Sequence, residues 1–180
     1  MRLVLPGPVK PFAMVLYSGE DALAEALRIL GERWGAPDHV GGARPFDLTA
    51  YYENEMGPGL LRRAVSFERL APSECLIERK VEAMEVEDAL RGTGGGRRAN
   101  IDPGYVDHQK VVLASSKEGP WKIHLGRGVH ADLVARVVKG KLEPSPGAFA
   151  DFRSGVYEED LLAIRRIYKT QLRGVAGAGS

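Results

Sequence analysis

The chain has 180 residues, and 25 Lys and Arg against 24 Asp and Glu leave a formal net charge of +1. That length fits one domain and can bury a core without a disulfide or a metal, while the even charge argues against nucleic acid, whose phosphates call for a clearly basic face. Cys75, the one cysteine, cannot form an internal disulfide, Pro6, Pro8 and Pro11 break the apolar start, and no run reaches the roughly 18 apolar residues of a membrane helix, so no membrane partner and a cytoplasmic location are expected.

Residues 1–11 read as a proline-rich lead-in to a single domain over 12–172, with 173–180 a flexible tail. The continuous apolar run from Phe12 to Tyr17 reads as a buried strand. Ser18 is the expected N-cap of a helix whose apolar stripe is Leu23, Leu27, Leu30 and Trp34, ended by Gly35 and Pro37. Residues 35–45 read as loop, Phe46 to Tyr52 as a short strand, and Leu60 to Leu70 as a strand. Ser73 should cap a second helix running to about Leu90, with Ile77, Val81 and Met84 on its apolar face. A glycine-rich loop follows at 91–98. Three strands are expected at Val111–Ser115, Trp121–Leu125 and Val129–Val138, and a last helix at Tyr157–Leu172 with Tyr157, Leu161, Ile164, Tyr168 and Leu172 on one stripe. The resulting fold class is α+β: a two-layer protein in which a mostly antiparallel sheet is covered on one face by about three amphipathic helices.

One hairpin can be read in register. With Gly126-Arg127-Gly128 as its loop, Leu125 faces Val129, Ile123 faces Ala131 and Trp121 faces Leu133 on one side. His124 faces His130 and Lys122 faces Asp132 on the other. A two-residue loop would mix apolar and polar faces, so side-chain alternation selects the longer one.

Several segments could carry chemistry. The glycine-rich loop lacks G-x-x-x-x-G-K-[ST], and no dinucleotide fingerprint occurs, so a surface linker is the plainer reading. In Asn100-Ile-Asp-Pro-Gly-Tyr105, the Asp-Pro-Gly run signals a turn. On a strand, Asn100 and Asp102 would instead share a side and could hold a cation or a ligand hydroxyl. Tyr51 to Gly57 gathers two phenols and two carboxylates, suited to acid–base work if burial shifts them, or simply to a strand end. His124, His130 and Asp132 are an alternative metal trio, although a zinc site wants three or four ligands with defined geometry. Lys117 and Arg153 are cations near loops, where binding groups gather.

YYENEMG with SFERL downstream, NIDPGY, Lys117, GVHAD and FADFRSGVY, in that order from Pro8 to about Tyr168, resemble the DUF4416 family of uncharacterised bacterial and archaeal proteins. The family brings no established activity. Some members carry a GTP-binding label, which the missing P-loop does not support. His124 and His130 stand where the family has tyrosine, which weakens the metal reading. The resemblance implies a ligand-binding set of Tyr51, Glu55, Asn100, Asp102, Tyr105, Lys117, Asp132, Asp151 and Arg153. The functional expectation is binding, with or without processing, of an anionic small molecule at a polar site built from YYxxEMG and NIDPGY. The alternative is a non-catalytic protein-interaction module. Cofactor, catalytic residues and oligomeric state are left open.

Overall fold

In the computed structural model, which describes residues 2–178, the first apolar run is strand β1 (Lys10–Tyr17), buried along its whole length. A strand buried on both sides needs cover on both faces. Ala13, Val15 and Tyr17 pack into one core with Leu23, Leu30 and Trp34 of helix α1 (Glu20–Trp34) and Ala83 and Val86 of helix α3 (Leu76–Ala89). Phe12 and Met14, of opposite parity, pack with Phe152 of helix α4 (Ala150–Arg153) and with Leu161 and Ile164 of helix α5 (Glu158–Ala178). The expected α+β architecture with a mostly antiparallel sheet is present. The helices, however, divide between its faces rather than sharing one, because a continuously apolar strand leaves neither face for water. We call the α1/α3 side the first face and the α5 side the second.

The remaining elements are β2 (Pro37–Val40), β3 (Arg44–Pro45), α2 (Glu53–Met56), β4 (Leu61–Phe67), β5 (Ala99–Val106), β6 (Lys110–Ser115), β7 (Lys122–Gly126), β8 (Val129–Val138) and β9 (Lys141–Pro144). The sheet order is β2-β4-β1-β5-β6-β8-β7, with β3 on β4 and β9 on β8. All these pairings are antiparallel.

Several local expectations change. Gly19, not Ser18, precedes α1, and the Ser18 hydroxyl bonds the Arg98 carbonyl instead. The 35–45 segment holds the short strands β2 and β3. Phe46 to Tyr52 forms no strand; Phe46 and Tyr52 stack edge-on, 5.9 Å between ring centres, over Leu16, Met56 and Leu60. Ser73 lies in a 3-10 turn (Ser73–Cys75) and makes no cap. On α3 the buried face is Leu76, Ala83 and Val86 together with Arg79, Lys80 and Glu87, while Met84 is exposed. Helix α5 runs on past Leu172 to Ala178, through most of the expected tail, whose Gly179 and Ser180 lie outside the described residues.

The Asp-Pro-Gly turn is also absent: Asp102, Pro103 and Gly104 lie inside β5. β5 meets β6 only at Gly104–Val106, so the edge of residues 99–103 facing away from β1 has no strand beside it. Side chains of α3 fill that role. Glu87 accepts the Ile101 N–H at 2.6 Å, and Lys80 donates to the Ile101 carbonyl at 3.2 Å. Pro103, two residues along, presents the same edge and has no N–H to leave unpaired. Gly104 answers a close approach, since a Cβ there would sit 2.4 Å from the Val112 carbonyl oxygen.

The hairpin register is as read over Lys122↔Asp132, Ile123↔Ala131 and His124↔His130, while Trp121, expected opposite Leu133, lies in the turn before β7. At its tip the ladder shifts, so that Gly126 rather than Leu125 meets Val129, and Arg127 takes a positive φ of 54°. Leu125 thus becomes a bulge, which preserves the face of every residue before it.

Candidate functional site

Three sequence motifs converge around Arg62, which β4 buries on the second face. Its guanidinium donates to Asp151 Oδ2 at 2.6 Å and to Asp102 Oδ2 at 2.9 Å. Phe46, Phe152 and Tyr157 surround it, with the guanidinium 5.5–6.0 Å from their ring centres. Asp102 also takes Asn100 Nδ2 at 3.2 Å and lies 3.4 Å from Lys80 Nζ. Asn100 Oδ1 accepts from Arg97 Nη1 at 3.0 Å, and Arg97 forks onto Glu55 at 2.9 and 2.8 Å. Arg97 also reaches Glu87 Oε2 at 3.1 Å. Thus Glu55, Asn100, Asp102 and Asp151 form one chain of bonds with Arg62, Lys80, Arg97 and Glu87.

The electrostatics of this network are closed. The hydrogen bond from Arg97 holds the Glu55 carboxyl below its ordinary range. Burial pushes Glu87 upward, against the Ile101 N–H, Lys80 and Arg97, which favour its charge. Burial pushes the Tyr52 phenol up to about 12, with Asp102 adding to the shift, and the Tyr157 phenol also up to about 12. Nearly every charge here has a partner, with the Arg62 Nε the exception. A carboxylate committed to two or three donors has little left for a ligand.

The other expected site residues lie apart. Tyr105 is buried on the first face with Leu76, Val112 and Val129, opposite to Asp102 because neighbours on a strand alternate. Lys117 Nζ bonds the Tyr51 hydroxyl at 3.1 Å and sits 4.2 Å from its ring centre, in an exposed pair. Arg153 donates to the Ala148 carbonyl at 2.8 Å, which ties down its own turn. Asp132 belongs to a second polar region.

That region is the uncovered end of the second face, where β6, β8 and β7 bring Ser115, Lys122, His124, His130 and Asp132 to one side. A cleft of about 480 Å³ opens there, lined by Glu118, Gly119, Lys122, His124 and His130. Lys122 Nζ donates to Ser115 Oγ at 2.9 Å and lies 3.6 Å from Asp132 Oδ2. Burial pushes the Asp132 carboxyl up, with Lys122 opposing. His130 is 8% and Asp132 2% exposed, yet His130 Nδ1 and Asp132 Oδ1 are buried without a partner. Buried polar atoms are nearly always paired, so two orphans on one strand are unusual. The two imidazoles lie 5.0 Å apart, and among the described residues no three His, Cys, Asp or Glu come together to hold a metal, the His124–His130–Asp132 trio included.

Residues 7–168 match the family described as Domain of unknown function (DUF4416). The chain belongs to that family. No curated protein and no solved structure matches it. Within this DUF4416 chain the resemblance motifs YYENEMG, NIDPGY and FADFRSGVY meet in the Arg62 network, whereas the cleft draws its side chains from the hairpin and the loop before it. Sequence reading missed Arg62, Lys80, Glu87 and Arg97. The signal available for Arg62 was a charge on each parity of LLRRAV, which an ordinary two-faced strand does not carry. Among the described residues no helix is long and apolar enough to cross a membrane.

Proposed function

We propose that this protein binds an anionic small molecule in the cleft between the β7–β8 hairpin and the 118–119 loop. The observation that supports this most is the buried His130, whose Nδ1 has no partner, in the wall of a cleft of about 480 Å³. That volume falls in the range of small-molecule sites, roughly 300–1,000 Å³. Lys122, His124 and His130 offer donors that an anion's oxygens would accept, as charge-assisted bonds where the donor is charged. The neighbouring Asp132 Oδ1 is a free acceptor, which suits a ligand that also carries a hydroxyl. The Arg62 network serves this reading as a scaffold: it fixes the 145–153 segment, whose Phe149 ring lies 5.4 Å from Lys122 Nζ.

The test is a thermal-shift and calorimetry screen with inorganic phosphate, sulfate, sugar phosphates and nucleoside phosphates. Stabilisation of about 2.7 kcal/mol is expected at a hundredfold excess over Kd. Lys122→Met should weaken it by about tenfold or more. Silence across the panel, or unchanged affinity in Lys122→Met, defeats the reading.

A second reading has its own observation. The opposite face of the hairpin exposes Ile123, Leu125 and Leu133, by 71, 41 and 36%. β7 is also the end strand of the sheet. An apolar stripe on an uncovered edge favours contact with another protein over a small ligand.

A further inference from the structure

A second cavity, of about 370 Å³, lies far in sequence from the hairpin, between the end of α1 and the start of α3. Trp34 and Pro72 give it apolar lining, Cys75 and Arg79 come from the first turns after Pro72, and Arg33, Glu74, Glu78 and Glu82 also line it. Arg79 is the unusual member. It is 7% exposed, its Nη1 is buried without a partner, and among the described residues it forms no ion pair. Its guanidinium lies 4.8 Å from the Trp34 ring centre, which positions the fork without neutralising it. Its protein partners are the Cys75 thiol, which it hydrogen-bonds, and the charge of Glu82, which is not in ion-pair contact and itself accepts the Trp34 indole N–H at 2.5 Å; Glu78 faces solvent beside Arg127.

A buried guanidinium without a carboxylate bonded to its fork is costly, and the planar fork matches a carboxylate well. A simple anion would have to pass the carboxylates of Glu74 and Glu78. A ligand that carries its own cation would be drawn by them. The geometry points to a binding site for an apolar α-amino acid, its carboxylate on Arg79, its ammonium towards Glu74 or Glu78, and its side chain against Trp34 and Pro72. This site shares no residue with the hairpin cleft, so either can fail without the other.

Cys75 is the one cysteine of the chain, so its alkylation reports on this cavity alone. Full-length protein is treated with iodoacetamide in the presence of L-leucine, L-phenylalanine, isocaproate or isoamylamine. Isocaproate is leucine without the ammonium, and isoamylamine is leucine without the carboxylate. Saturable protection by an amino acid is expected, with isocaproate weaker by about tenfold and isoamylamine inactive. Glu78→Gln, an exposed and fold-neutral change, should shrink the gap between leucine and isocaproate. Arg79→Lys keeps the charge but not the fork, and should lose protection by about tenfold or more. A mid-range thermal midpoint in that variant confirms that loss of protection is not loss of fold. An alkylation rate indifferent to both amino acids, or protection undiminished in Arg79→Lys, overturns the proposal.

Discussion

On the second face of the sheet, Arg62 has a carboxylate on each fork, whereas His130 and Asp132, farther along the same face, each keep a buried atom without a partner. Both regions bring ionisable side chains out of water. In the first, neighbouring strands and α4 supply the counter-charges, and of the Arg62 donors only Nε lacks a partner. In the second, the helices stop short of the sheet end, and two buried atoms keep no partner within the protein. The residues that look most like a motif in the sequence are thus the better-satisfied ones. A dense run of polar residues marks a site only if the fold leaves some of their bonding capacity unspent.

The sharpest way to break this comparison is Arg62→Ala. It leaves the buried Asp151 without its counter-charge and Asp102 with only Asn100 and Lys80, and a loss of about 3–5 kcal/mol is expected in denaturant unfolding. A loss below about 1 kcal/mol would mean that the network is not the structural element described here. Gly104→Ala comes next. The added Cβ would meet the Val112 carbonyl oxygen at 2.4 Å, so β5 and β6 must move apart at a cost of about 1–3 kcal/mol. The smallest effect is expected at the hairpin. Ile123→Thr removes an apolar side chain that is 71% exposed, and stability should stay within about 0.5 kcal/mol. Sedimentation velocity on the same variant separates the two functional readings, since a change in self-association would favour a protein partner.

Tyrosine ionisation sharpens the comparison from another side. Tyr52 and Tyr157, which flank Arg62, hold their protons up to about 12. The unfolded chain loses them near its ordinary value of about 10. Between these values the unfolded state binds fewer protons, so stability present below about pH 10 is lost as pH rises towards 12. An ultraviolet titration should show a late phenolate step that Tyr157→Phe reduces. Complete ionisation of all tyrosines near pH 10 would contradict the burial described.

Much of the fold was legible because it follows from local periodicity. The apolar stripes of α1 and α5, the buried run of β1 and the alternation of the hairpin each declare themselves within a few residues. The stripe of α3 did not, because Arg79, Lys80 and Glu87 occupy its buried face. Those residues look solvated until β5 and Trp34 are seen beside them. The Asp102-Pro103-Gly104 segment failed for a related reason. Pro and Gly are the usual signs of a turn, but here Pro suits an edge with no strand beside it and Gly suits a close strand approach.

The sequence by itself determined the class, the sheet's antiparallel character, the hairpin's register and the family, since these rest on spacing and motifs carried along the chain. Tertiary structure alone decided which charges meet. Glu55, Arg62, Arg97, Asp102 and Asp151 lie up to 96 positions apart in the numbering of one chain, and their pairing depends on where β4, β5 and α4 come to rest. Whether a polar group is satisfied or orphaned is a property of its neighbours in space. A side chain's own identity sets only how many bonds it can make, and packing sets how many it does make.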